Sequence, residues 1–153
     1  MQIHNLLIKN KKTIAVAESC TAGLVSNLLT QCSGSSQYFI LGVVAYSNKT
    51  KENILKIPPS LIAKYTAVSK ETASIMASHI RKIAKTDFGL GITGIAGPTG
   101  GTTKKPVGTV FIALDSKNKK FYKKFIFKGN RLGIRKKAAL KTLELLKSAI
   151  EKG

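Results

Sequence analysis

Hydrophobic residues follow two patterns along this chain, and together they predict strands alternating with helices. A short apolar run without charge at 13–17 is typical of a central strand covered on both faces, and two further strands are expected at 38–46 and 88–93. Apolar residues that recur every three or four positions predict amphipathic helices. These segments are 2–11, the stretch after Cys20, a short helix through Ile54 and Leu55, 69–84, and 132–150.

The second half of the chain adds a hairpin. Val107–Leu114 and Lys120–Phe127 read as two strands joined by the polar turn DSKNK, which predicts antiparallel pairing. The fold class expected is therefore α/β: a three-layer α/β/α arrangement, in one domain over 1–153, whose mixed sheet includes a C-terminal antiparallel hairpin.

Helix boundaries and buried faces also follow from the pattern. Pro58 and Pro59 are expected to break the chain, and Ser69 to cap the following helix. His79 falls off the apolar stripe of that helix and is expected to be exposed. The core stripes are Ala73, Met76, Ala77, Ile80 and Ala84 in this helix and Leu132, Ala139, Leu143, Leu146 and Ile150 in the last one.

The charge is strongly positive, since 26 Lys and Arg face 7 Asp and Glu for a net charge of +19. Such charge attracts polyanions, but it is mostly lysine, spread over surface positions, so nucleic acid is a rival and not the expected partner. Two cysteines and two distant histidines predict neither a disulfide framework nor a metal site. No apolar run is long enough for a membrane span, so a cytoplasmic protein is expected.

The first candidate for chemistry is AESCTAG, where the first strand meets a helix. If the helix begins near Cys20, that thiol shares a stripe with Leu24 and Leu28 and points to the core. Ser19 then faces the strand ends, as a nucleophile would. The alternative is that Ser19 or Thr21 only caps the helix.

A serine nucleophile needs a base, and no histidine is suitably placed. YSNKTK at 46–51 offers lysines instead. With Asn48 as the N-cap, Lys49 and Lys51 fall in the first helical turn, where the macrodipole lowers an ammonium pKa. The alternative is that Lys49 and Lys51 are ordinary charged residues of the protein surface, without a catalytic role.

Two further segments suit an anionic ligand. Thr93 and Gly94 end a strand, and the glycine-rich loop after them lets backbone N–H groups approach an anion. GNR places Arg131 at a helix start, with Arg135 one turn on. GLGITG at 89–94 matches a dinucleotide fingerprint only in spelling, because a loop containing Pro98 and not a helix follows it.

Six segments resemble the CinA C-terminal domain family, the nicotinamide mononucleotide deamidases: AESCTAGL, GSSQYFILGVVAYSNKTK, AVS at 67–69, GITGIAGPTGG, KPVGTV at 105–110, and GNR. The resemblance runs from about residue 5 to 150. It implies a three-layer fold, generally oligomeric with a dimer favoured. It also implies hydrolysis of a nucleotide carboxamide in pyridine nucleotide recycling, without cofactor or metal.

The resemblance also implies roles for residues. Ser19 is then the nucleophile and Lys51 its base, with Tyr46 and Thr93 orienting substrate or base. The residues expected to bind substrate are Thr21, Gly23, Ser47, Gly94, Gly97, Arg131 and Arg135.

This chain departs from the family pattern at Ala22, Lys49 and Asn130, where glycine, an acidic residue and aspartate are usual. None of these changes removes a proposed catalytic side chain. Two other functions stay open: a nucleotide-binding module without turnover, and a basic protein associated with nucleic acid.

Overall fold

The computed structural model describes residues 2–152. The helices and strands, in chain order, are α1 (Gln2–Lys9), β1 (Ile14–Glu18), α2 (Leu24–Leu29), β2 (Phe39–Val44), α3 (Asn48–Asn53), α4 (Pro59–Tyr65), α5 (Lys70–Ala84), β3 (Phe88–Gly94), β4 (Thr109–Ser116), β5 (Lys120–Ile126) and α6 (Arg131–Glu151). A short 3-10 helix, Ser35–Gln37, precedes β2. No helix within residues 2–152 is both long and apolar enough to cross a membrane.

The five strands form one mixed sheet in the order β2-β1-β3-β4-β5. The first three strands in this order are parallel, and β4 and β5 add the antiparallel hairpin that the sequence predicts. Glu18 at the end of β1 is in register with Val44 of β2 and Ile92 of β3. The residues that follow these three positions therefore meet at one edge of the sheet.

Alternate residues of the strands face two separate cores, as a strand period of two requires. Val16 and Leu90 point to one side, where they join apolar residues of α1, α2 and α6. Ala15 and Ala17 point to the other side and pack with residues from the α3 to α5 region. This arrangement confirms the three-layer α/β/α architecture.

Helix α5 lies unusually close to the sheet because two glycines of β3 face it. A Cβ added at Gly89 would lie 2.1 Å from the carbonyl oxygen of Ala77, and one at Gly91 would lie 2.2 Å from that of Ala73. The helix backbone therefore rests directly on β3. Ser69 caps this helix as predicted, because its Oγ accepts the N–H of Thr72 at 3.1 Å.

Two expectations for the helices were wrong, and one helix was not predicted. Residues 54–58 do interrupt the helical structure, but Pro59, which lacks an N–H to satisfy, starts the unpredicted helix α4. His79 is half-buried, with Nδ1 2.6 Å from the carbonyl oxygen of Leu55, because the segment after α3 packs over α5. Leu132 is 52% exposed, since the buried face of α6 begins at Ile134.

Candidate active site

Residues 19–23 connect β1 to α2, and we call this connection the corner. It is held by the carboxylate of Glu18, which is fully buried. Its Oε2 accepts the N–H groups of Gly23 at 3.0 Å and Val25 at 3.1 Å. Its Oε1 accepts both the N–H and the Oγ–H of Ser26, at 2.8 and 2.7 Å. One side chain thus satisfies the otherwise unpaired N–H groups at the start of α2. Sequence reasoning missed this role, although an acid ending an apolar strand was a visible signal.

Helix α2 begins at Leu24 and not near Cys20, so the corner is longer than predicted. Residues 20–23 form a turn in which Ala22 and Gly23 have positive φ values of 47° and 93°. Cys20 nevertheless packs into the core, as expected. Burial raises the pKa of its thiol to about 12, which makes it a poor nucleophile at neutral pH.

Ser19 is fixed at the edge of the sheet. Its N–H donates to the carbonyl oxygen of Ile92 at 2.9 Å, and its carbonyl oxygen accepts the N–H of Ala22 at 3.1 Å. The residue is 8% exposed and lines a cavity. Its hydroxyl is therefore the accessible nucleophilic group of the corner.

Lys51 reaches that hydroxyl from α3. Ser47, and not Asn48, caps this helix, because its Oγ accepts the N–H of Thr50 at 3.0 Å. Lys51 is only 1% exposed. Its Nζ donates to Ser19 Oγ at 3.0 Å and to the carbonyl oxygens of Ala45 and Tyr46 at 2.9 and 3.0 Å.

Burial makes the ammonium of Lys51 easier to deprotonate. It lowers the pKa from an ordinary 10.5 to about 8, while Cys20 acts in the opposite direction. The direction matches the sequence-based prediction, but the largest cause is desolvation, which that prediction did not invoke. No carboxylate of residues 2–152 lies within 4.0 Å of Nζ to restore the charged form. Lys49, two residues earlier, is exposed.

The cavity above these groups, which we call the reactive cavity, has a volume of about 270 Å³. Its lining contains no Asp or Glu, so an anionic ligand meets no like charge there. Among the residues expected to be functional, those that line it are Ser19, Tyr46, Lys51, Thr93, Gly94, Gly97 and Arg131.

Hydrogen bonds tie the walls of the reactive cavity together. Thr93 Oγ1 donates to the carbonyl oxygen of Ala67 at 2.7 Å. Arg131 donates from Nη1 to the carbonyl oxygen of Gly97 and from Nη2 to the hydroxyl of Tyr46, both at 2.7 Å. Since Tyr46 is 54% exposed, the pair formed by Tyr46 and Arg131 lies at the mouth.

Four residues expected to bind substrate do not line the reactive cavity. Gly23 donates to Glu18, Ser47 caps α3, and the side chain of Thr21 is fully buried. Arg135 donates from Nε to the carbonyl oxygen of Cys20 at 3.1 Å and from Nη2 to that of Thr21 at 3.2 Å. Its guanidinium therefore supports the corner from α6.

The described part of the chain, residues 2–152, contains no group of three or more His, Cys, Asp or Glu side chains arranged to hold a metal ion. The functional groups that line the reactive cavity are a hydroxyl, an amine, a phenol, a guanidinium and backbone amides. Such a set suits nucleophilic attack on a carbonyl carbon.

Known proteins resemble this chain over most of its length. The model of the CinA C-terminal domain matches residues 1–150. A protein of Thermoanaerobacter pseudethanolicus named as competence-damage inducible is 51% identical over 142 residues, which are 93% of this chain and 34% of that protein. A CinA-like protein of Kosmotoga olearia is 47% identical over 146 residues, 95% of this chain and 35% of that protein. The chain thus spans about a third of the length of the curated relatives it matches.

Solved structures share the whole fold. A CinA superfamily protein from Enterobacter cloacae superposes with a TM-score of 0.90 at 34% identity, over 95% of this chain and 86% of that one. Another CinA superfamily protein, from Klebsiella pneumoniae, superposes with a TM-score of 0.95 at 26% identity, over 99% of this chain and 95% of that one. The match extends over nearly all of this chain in sequence and in structure, and the chain therefore belongs to the CinA C-terminal domain family.

Proposed function

We propose that this protein hydrolyses the carboxamide of nicotinamide mononucleotide to nicotinate mononucleotide and ammonia. The observation that carries the proposal is the 3.0 Å contact between Lys51 Nζ and Ser19 Oγ in the reactive cavity. The motif resemblance and family membership support the choice of substrate. The geometry supports the reaction type, because the pair supplies a nucleophile and a base with a lowered pKa.

In the acylation step, neutral Lys51 accepts the proton of Ser19 as Oγ bonds to the carboxamide carbon. The carbonyl electrons move to oxygen, forming a tetrahedral oxyanion. When the intermediate collapses, the carbon–nitrogen bond breaks and Lys51 returns the proton to the leaving nitrogen, which departs as ammonia.

In the deacylation step, water attacks the acyl-serine and Lys51 accepts its proton. The carbon–Oγ bond breaks, and the proton passes to Ser19 Oγ. The product carboxylic acid ionises in solution, and both side chains return to their starting state.

The oxyanion needs a hydrogen-bond donor near Ser19. The N–H of Cys20 is the first candidate, because Cys20 lines the reactive cavity and its N–H donates to no backbone carbonyl within residues 2–152. One donor of this kind typically lowers the barrier by about 3 kcal/mol.

Ammonia release from nicotinamide mononucleotide by purified protein tests the proposal. Ser19→Ala should abolish release, and Lys51→Met should lower kcat/KM by about 10²- to 10⁴-fold. Lys49→Met, which removes an exposed lysine from the same helix, is the matched control and should leave the rate unchanged. A Ser19→Ala variant as active as the parent would refute the nucleophile assignment. Nucleotide binding without ammonia release would favour a binding module without turnover.

A further inference from the structure

A second cavity adjoins the reactive cavity. It has a volume of about 470 Å³ and shares four wall residues with the reactive cavity: Ala67, Val68, Ile95 and Gly100. Its remaining lining is Thr66, Thr102, Lys104 and Lys105, with no carboxylate. A ligand that places one end on Ser19 can therefore extend into a space lined by two ammonium groups and two hydroxyls.

Lys105 is a half-buried cation without a counter-charge. Its Nζ donates to Thr66 Oγ1 at 3.0 Å and to the carbonyl oxygen of Val68, both of which are neutral acceptors. No carboxylate of residues 2–152 lies within 4.0 Å of this ammonium. An ammonium beside a cavity, with no carboxylate partner, can form charge-assisted hydrogen bonds to an anionic ligand that enters the cavity.

The donors around Lys105 are arranged to accept such a ligand. Two bonds leave the third N–H of Lys105 Nζ without a partner among the described residues. Thr102 Oγ1 accepts the backbone N–H of Lys105 at 3.0 Å, so its own hydroxyl proton is available for donation. Lys104 adds an exposed ammonium on the same loop.

Neither arginine expected to bind substrate lines the second cavity. Arg135 donates to the carbonyl oxygens of Cys20 and Thr21, outside the lining of either cavity. Arg131 lines the reactive cavity and not the second one, and it donates there to Gly97 and Tyr46.

We propose that the second cavity binds the phosphate monoester of the substrate while the carboxamide lies on Ser19. Lys105, Lys104 and Thr102 donate to the phosphate oxygens, and the two ammonium groups balance its charge. The inference rests on the proposed function, because it places the two ends of the same substrate.

The test compares nicotinamide mononucleotide with nicotinamide riboside, which lacks the phosphate. Lys104→Met and Lys105→Met should each raise KM for the mononucleotide about tenfold and leave the riboside constants unchanged. Lys104→Met leaves the contacts of Lys105 intact, so its effect reports phosphate binding and not a displaced wall. Lys123→Met, an exposed lysine on β5, is the charge-matched control. An unchanged mononucleotide KM in both variants overturns the proposal, and so does an equal change for both substrates.

A second readout separates this inference from the proposed function. If the parent protein releases ammonia from neither substrate, titration with inorganic phosphate followed by phosphorus NMR decides the matter. Phosphate binding by the parent that is lost in the Lys104→Met/Lys105→Met double variant supports the subsite even without amide hydrolysis. Absence of phosphate binding by the parent overturns it.

Discussion

Replacing Glu18 by glutamine tests how the nucleophile corner is held. The substitution keeps the shape of the side chain but turns one carboxylate oxygen into an NH2 group, which donates and cannot accept. Each of the two oxygens accepts two donors, so this NH2 must face two of them.

The less costly placement puts the NH2 group where Oε1 now lies. The hydroxyl of Ser26 can then rotate to accept, but the N–H of Ser26 loses its partner. An unsatisfied buried donor costs about 1–3 kcal/mol, and the remaining bonds lose the strength that the charge adds. We therefore expect Glu18→Gln to lower the free energy of unfolding by about 3 kcal/mol, which is about 6–12 °C in Tm.

Urea unfolding followed by circular dichroism, with a thermal scan alongside, measures this change. Glu144→Gln is the matched control: Glu144 is exposed and pairs with Lys141 on the same helix, so its loss should cost less than about 0.5 kcal/mol. If Glu18→Gln unfolds at the same urea concentration as Glu144→Gln, the carboxylate does not hold the corner.

Three further predictions concern Lys51, Cys20 and Tyr38. Below pH 8 the value of kcat/KM should fall about tenfold per pH unit, because burial lowers the pKa of Lys51 to about 8 and only the neutral amine accepts a proton; a flat profile from about pH 6 to about pH 9 would contradict this role. Iodoacetamide at neutral pH should label Cys32 before Cys20, because the buried thiol of Cys20 has a pKa raised to about 12. Mass spectrometry of the folded protein after labelling measures the order, and labelling of Cys20 first would contradict the prediction. Tyr38→Phe should destabilise the fold by about 1–3 kcal/mol in urea unfolding, since the carbonyl oxygen of Leu29 loses its buried hydroxyl donor, and an unchanged midpoint would refute this.

The layered architecture could be predicted because it depends on local patterns. Uncharged runs such as 13–17 suit only strands covered on both faces, and the helices between them follow from their apolar stripes. The parallel order of β2, β1 and β3 then brings Ser19 and the start of α3 to one edge of the sheet. Contact between Ser19 and Lys51 is thus compatible with the predicted strand order, but the sequence spacing of the two residues does not predict it.

Other features depend on contacts between distant segments. Arg135 supports the corner because α6 packs beside α2, and it lies 115 residues from Cys20 in sequence. The low pKa of Lys51 depends on burial, which a helix-terminus argument does not contain. The predicted start of α2 is several residues too early. The cap of this helix is Glu18 of the preceding strand, and residue preferences at the helix start do not reveal a cap that lies in a strand.

The two glycines of β3 make the dimensions of the pocket depend on positions that carry no functional group. Helix α5 continues directly from the segment 66–69, whose Ala67 carbonyl oxygen receives the hydroxyl of Thr93 beside Ser19. A methyl group at Gly91 would push α5 off the sheet, and the pocket wall attached to its N-terminus would shift with it. The shape of the reactive cavity can therefore be altered at this helix–sheet contact without replacing any residue that lines the cavity.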